Sequence, residues 1–261
     1  MRTGYLLSTF DMVDVGDVDV VQQAAEQTDR VEVRVLSDAA VTGITGRPPV
    51  MPVGERLEIA GSMREVGDAA VYNPAGRLKL SDQDIVYGRT DVGVGAAPID
   101  RWLRPRKDLQ PVEELGRMSR ITATDGVLGY VPGAWDRFHI GHLNILKRAR
   151  ASCQRLVVGV VTDDALLRAK SRYPMVPLRE RMEVVAAMDI VDAVVVDYSS
   201  SKLDVWERVH FDVLYKGDDW RGTAKGNRLE SEMASVGAEV RYFPYTAHTS
   251  STALRQILAS R

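Results

Sequence analysis

Short apolar runs alternate along this chain with stretches of helical periodicity. A strand is predicted at 5–7, a helix at 15–27, and a second, Val-rich strand (RVEVRVL) at 30–36. The same order returns later, with a strand at 127–131, a helix near 140–152 and RLVVGVV at 155–161. A helix from about 178 to 188 and the strand DAVVVD at 192–197 follow, and FDVLYKG and AEVRYFP bring that series to about five strands. β-Branched runs alternating with helices predict a parallel sheet covered on both faces. Open sheets of this kind bind ligands at the carboxyl ends of their strands. The first series ends its recognisable strands with DIVYG at 84–88, and 93–124, mixing Gly, Pro and many charges, reads as a connector or arm.

The two series are related by a fixed offset. Shifted by 125 positions, residues 4–63 align with 129–188 without a gap, and seventeen of the sixty pairs are identical. The identities include Gly4/Gly129, Asp11/Asp136, Gly16/Gly141, Asp38/Asp163, Arg47/Arg172, Pro52/Pro177 and Arg56/Arg181. Scattered Gly, Pro and Arg matches point to two copies of one unit rather than to low complexity. The expected organisation is a first domain at 1–92, the connector at 93–124 and a second domain at 125–261.

Bulk properties narrow the classes. At 261 residues the chain can hold two modest cores. A formal charge of −2 and a pI near 6.1 argue against a broad nucleic-acid footprint. The one cysteine, Cys153, excludes an internal disulfide and fits a reducing compartment. With strand-like GYLLSTF close behind Met1, no signal peptide is expected, and no apolar run is long enough for a membrane span. A cytoplasmic location is expected.

The chemistry concentrates at GAWDRFHIGH, 133–142, where a strand gives way to a helix. Gly133 lets a ligand approach the backbone, and Gly141 removes a side chain between His139 and His142. Their i, i+3 spacing at a helix start puts both imidazoles on one side of the first turn. That turn offers unpaired N–H groups and the positive end of the helix dipole, a site suited to phosphate. The imidazoles can donate to a phosphoryl oxygen and stabilise charge developing there. With four histidines and one cysteine in the chain, a zinc site is poorly supported. In the first copy the equivalent positions are Asp14 and Asp17, which put carboxylates where a phosphate would sit.

The phrase resembles the HxGH signature of the nucleotidyltransferase superfamily, in the GTFDxxHxGH form of the cytidylyltransferases. AKSRYPMVPLRERMEVV at 169–185 resembles that family's basic loop and the helix after it. FDVLYKGDDW at 211–220 is similar to the GDDW segment of glycerol-3-phosphate cytidylyltransferases, and HTSSTALRQIL at 248–258 to the family's C-terminal motif. The resemblance covers about 126–258. It implies an α/β fold of two tandem Rossmann-like units, each a parallel sheet of about five strands flanked by helices, with the first copy degenerate. It also implies a catalytic set of His139, His142, Lys170 and Arg181. Nucleotide contacts are expected from Gly133, Ala134, Trp135, Phe138, Arg172, Gly217, Asp218, Thr249, Ser250, Ser251 and Thr252. Mg²⁺ is the expected cofactor, with Asp136 as its candidate ligand or as a residue that holds the turn.

The implied reaction is an in-line displacement, in which an acceptor phosphate attacks the α-phosphorus of CTP and pyrophosphate leaves. The acceptor is a small phosphorylated alcohol or amine of the glycerol 3-phosphate or phosphoethanolamine kind. Two departures favour an alternative. Tyr245 stands where cytidylyltransferases carry arginine, and Asp189 where they often carry a cation. Heptose-1-phosphate adenylyltransferases lack both cations, and their PLxxRM and VKGGD segments also resemble this chain, so ATP and a sugar phosphate are the second reading. A nucleotide-binding regulatory protein without turnover is the third. The chain is expected to be a monomeric pseudo-dimer or a homodimer, with no nucleic-acid partner.

Overall fold

The computed structural model describes residues 1–74, 76–95, 97–106, 126–198 and 201–244. They form two compact units, the first within 1–106 and the second within 126–244. The first contains β1 (Thr3–Ser8), α1 (Val15–Gln27), β2 (Arg30–Leu36), α2 (Asp38–Thr45), α3 (Val53–Ala60), β3 (Val66–Tyr72), β4 (Ile85–Arg89) and β5 (Arg101–Leu103). The second contains β6 (Leu128–Gly133), α4 (Ile140–Arg150), β7 (Arg155–Val161), α5 (Asp163–Lys170), α6 (Leu178–Ala186), β8 (Ala193–Asp197), α7 (Leu203–Val209), β9 (Val213–Gly217), a 3₁₀ turn (Asp218–Trp220), α8 (Ala224–Ala234) and β10 (Glu239–Phe243).

Each unit is a five-stranded, all-parallel sheet, ordered β3-β2-β1-β4-β5 and β10-β9-β6-β7-β8. Read from the opposite edge, the second order is that of the first. The 125-residue offset holds for the bounds of β1/β6, β2/β7 and α2/α5. Strand β5 falls inside the segment expected to be a connector and pairs with β4, Tyr87 opposite Arg101. Residues 107–125, the rest of that segment, lie outside the described residues.

The helices form where caps allow. Ser37 and Thr162 accept from the third backbone N–H of α2 and α5, and Asp14 and Asp17 form a capping box at α1. In the second unit Val157, Val195, Phe211 and Leu214 pack under Val205 and Val209 of α7. The first unit joins β3 to β4 without a helix. The position equivalent to Val157 is accordingly Glu32, bonded to Arg30 and Arg34, and Arg34 lies over the Tyr5 ring. A face with no helix to cover it carries charge instead of valine. No helix among the described residues is long and apolar enough to cross a membrane.

Candidate active site

The turn between β6 and α4 is built by residues that few side chains tolerate. Trp135 and Arg137 both hold positive φ, at 57° and 53°. Trp135 folds back so closely over Gly133 that a Cβ there would meet its ring at 2.6 Å, and its indole N–H donates to the Gly159 carbonyl at 2.9 Å. Phe138 is buried beside it. These two aromatic residues, expected to touch nucleotide, pack against His142. His142 lies edge-on to Trp135 and tilted against Phe138, at centroid distances of 5.2 and 5.6 Å.

His139 is the N-cap of α4. Its Nδ1 accepts from the Gly141 N–H at 3.1 Å, and its ring stacks on His142 at 3.8 Å and 22°. Burial, with Arg137 adding to it, pulls the His139 pKa down to about 4. Burial likewise holds His142 well below the ordinary value, helped by His139 and Lys170. Both rings are therefore neutral at pH 7. Because Nδ1 of His139 is an acceptor, its one proton sits on Nε2. The His142 Nδ1 is buried and has no hydrogen-bond partner among the described residues. The pair is a neutral, stacked donor set at a helix N-terminus, whose dipole favours an anion.

The other expected residues divide into two groups. Lys170 is the last residue of α5, not part of a loop, and is exposed, as is Arg172 just beyond it. Lys170 acts electrostatically on His142, and Arg172 on Arg137. Gly217 ends β9 and Asp218 opens the exposed turn after it. Thr249, Ser250, Ser251 and Thr252 lie outside the described residues, as do His248 and Tyr245.

Arg181 and Asp136 both make contacts within the fold. Arg181 is buried, and its guanidinium donates to the carbonyls of Val176, Ala134 and Val161 and to Asp163. Four donors are thus committed within the fold. Ala134, expected at the nucleotide, supplies one of these carbonyls. Asp136 accepts from the N–H groups of Met175 and Val176, both at 3.0 Å, so it ties the loop before α6 to the histidine turn. The first unit repeats both arrangements at the same offset. Arg56 donates to Met51, Thr9, Leu36 and Asp38, and Asp11 accepts from Val50 and Met51. Contacts present in a unit without histidines serve the fold. Both bonds to Asp136 fall on its Oδ1, and no group of three or more potential ligand residues suited to a metal occurs among the described residues.

Two cations went unnoticed in the sequence. Arg137 is buried within the turn, where the first copy has Met12 at the same positive-φ position. Lys216 lies at the carboxyl end of β9, where the register with β1 and β6 gives Gly88 in the first unit. A cation present only in the unit that carries the histidines was the available signal for Arg137.

The equivalent place in the first unit is filled from within. Arg89, ending β4, bonds Asp14 and Asp91 and lies 3.0 Å from Asp17. A Cβ on Gly16 would meet its guanidinium at 2.5 Å, so the side chain sits directly on the α1 N-terminus.

Comparison with known proteins finds relatives over most of the chain. The chain is 28% identical to the bifunctional protein HldE of Hyphomonas neptunium over 228 residues, covering 85% of this chain and 44% of that protein. It is 30% identical to HldE of Acidiphilium cryptum over 211 residues (80% and 41%), and 35% identical to HldE of Halorhodospira halophila over 234 residues (88% and 46%). It spans less than half the length of these relatives. The family model of cytidylyltransferase-like proteins matches residues 130–257. Residues 130–257 thus match a cytidylyltransferase-like domain of the nucleotidyltransferase superfamily.

Proposed function

We propose that the second unit transfers a nucleotidyl group from a nucleoside triphosphate to a small phosphorylated acceptor, releasing pyrophosphate. The observation that carries this reading is the neutral, stacked pair His139 and His142 at the α4 N-terminus. The triphosphate lies across that helix end. His139 donates through Nε2 and, with His142, stabilises charge developing on the α-phosphoryl oxygens. Lys170 and Arg172 neutralise the leaving pyrophosphate. The acceptor phosphate forms the new P–O bond in line as the bond to the β-phosphate oxygen breaks, and that electron pair leaves with pyrophosphate.

The nucleotide is ATP and the acceptor a sugar phosphate of the heptose 1-phosphate kind. Support comes from the similarity to HldE proteins and from Tyr245 and Asp189 in place of two cations. The GDDW segment, Gly217–Trp220 by number, favours CTP as the second reading. The first unit is a copy that kept its fold and lost its site, a reading supported by the constant offset and shared strand order.

The test incubates the chain with ATP or CTP, MgCl₂ and a panel of phosphorylated acceptors, and follows pyrophosphate. Turnover with ATP at least tenfold above CTP is expected. A CTP preference reverses the nucleotide assignment, and bound nucleotide without pyrophosphate from any acceptor supports a non-catalytic protein instead.

A further inference from the structure

The second sheet splits at the point where its winding reverses. Strand β6 stays paired with β7 as far as Gly133 opposite Val160, but its pairing with β9 ends at Tyr130 opposite Leu214. The carboxyl ends of β6 and β9 are therefore not paired with each other, at the switch point where sheets of this order offer a ligand crevice. In the first unit the matching strands remain zipped two residues further, to Leu7 opposite Gly88.

Lys216 occupies this crevice. Its ammonium donates to the Pro132 carbonyl across the gap, at 3.4 Å, and lies 4.4 Å from the Trp220 ring centroid. No other hydrogen-bond acceptor for it is present among the described residues, which leaves two of its three N–H donors for a ligand. Burial acts on it most, then Lys202, with Asp197 and Asp219 opposing, and Lys170, which also acts on His142, adds to the lowering. The strand order then separates two sides. Lys170 and Arg172 follow β7, on one flank of β6, and Lys216 ends β9 on the other. An in-line displacement needs the entering and leaving oxygens on opposite sides of phosphorus. With pyrophosphate leaving toward Lys170 and Arg172, the attacking phosphate enters from the β9 side.

We propose that Lys216 binds the phosphate monoester of the acceptor and holds it for in-line attack. The assignment rests on the transferase reading above and adds the residue that recognises the second substrate. The acceptor phosphate is a dianion at neutral pH, so it needs a cation at this point but no general base.

The experiment uses the full chain and its Lys216→Met and Lys216→Arg variants. Met keeps the length of the stem over Trp220, and thermal melting checks that each variant is folded. Inorganic phosphate is titrated into protein saturated with α,β-methylene-ATP, and that nucleotide is titrated separately. Loss of a charge-assisted bond should weaken phosphate binding about 10- to 100-fold in Lys216→Met. Nucleotide affinity should stay within about twofold, and Lys216→Arg should recover most of the phosphate affinity. Wild-type phosphate binding in Lys216→Met overturns the assignment, and so does loss of nucleotide in the same proportion. If the wild type binds no nucleotide, the transferase reading falls by itself. Lys216 is then judged on inorganic phosphate with the free chain, where unchanged binding in Lys216→Met refutes it.

Discussion

Replacing Arg181 by Met separates a structural role from a chemical one. The guanidinium holds three interior carbonyls, those of Val176, Ala134 and Val161, together with Asp163. A buried carbonyl left without a donor costs roughly 1–3 kcal/mol. Asp163 is about a third exposed, so water takes over much of its share and the ion pair itself adds little. Taking the low end for each carbonyl, and letting the Met side chain fill part of the volume, the loss is about 3 kcal/mol. For a domain of this size that lowers the melting temperature by about 10 °C. Thermal melting with hydrogen exchange resolved by unit should place the loss in β7 and α6. Arg56→Met removes the same bond set in the first unit and should produce the matching loss there. The reasoning is refuted if Arg181→Met melts like the wild type yet loses nucleotide binding or turnover, since Arg181 would then be a group that touches substrate.

The histidine pair, the pH response and the closed first unit give further tests. His139→Asn keeps a good N-cap for α4 but removes the Nε2 donor; turnover should fall about 10²–10³-fold with melting nearly unchanged, and a fall in stability without loss of turnover would reduce His139 to a cap. Nucleotide binding should stay flat between pH 5.5 and 7.5, because His139 has its pKa near 4 and His142 lies well below 6.5; a titration step near 6.5 would contradict neutral rings. Acceptor affinity should fall as pH rises through about 8, where burial, opposed by Asp197 and Asp219 and aided by Lys202 and Lys170, places Lys216; affinity constant to pH 9.5 would count against that ammonium. Arg89→Ala leaves Asp14, Asp17 and Asp91 around the α1 N-terminus without their cation and should destabilise the first unit by about 3–5 kcal/mol. Asp17 already has its pKa raised to about 6, chiefly by burial, so it binds a proton more readily folded than unfolded. Stability lost in Arg89→Ala should therefore return in part as pH falls from 7 to 5, and denaturant melts showing the reverse slope would refute the assignment.

Much of the fold could be read from hydrophobic pattern because its strands are valine-rich and its caps are local. Arg30–Leu36 and Arg155–Val161 stand where the pattern put them, and α1 runs from Val15 to Gln27 as expected. Helices α2 and α5 were missed because DAAVTGIT and DDALLRAK are short and each buries a single residue, Val41 or Leu166. Strand β5 was missed because three residues, two of them exposed, carry no period. At the site, His139 and His142 were legible from their spacing, which does fix a shared face. The resemblance put Arg181 in the catalytic set, and nothing in its local sequence signals how its guanidinium is bonded. Only the three-dimensional path of Val176, Ala134 and Val161 reveals that their carbonyls are its partners.

The two units also show what separates a site from a fold. Both have the same strand order, the same buried arginine and the same aspartate bracing the loop before α3 or α6. They differ at three coupled places. The helix N-terminus carries Asp14 and Asp17 instead of His139 and His142, the strand after the switch point ends Gly88-Arg89 instead of Lys216-Gly217, and the gap between the inner strands is zipped instead of open. Each change depends on the others. Carboxylates at the positive end of α1 repel phosphate, yet they need a cation once the anion is gone, and Arg89 supplies it from the position where a glycine would leave space. With that guanidinium in place and Trp102 packed within 3 Å of where a Gly88 Cβ would stand, no room remains for a cation reaching out at position 88. Restoring histidines alone would therefore leave Arg89 on the helix end and the crevice closed, and a phosphate would still have no place to bind.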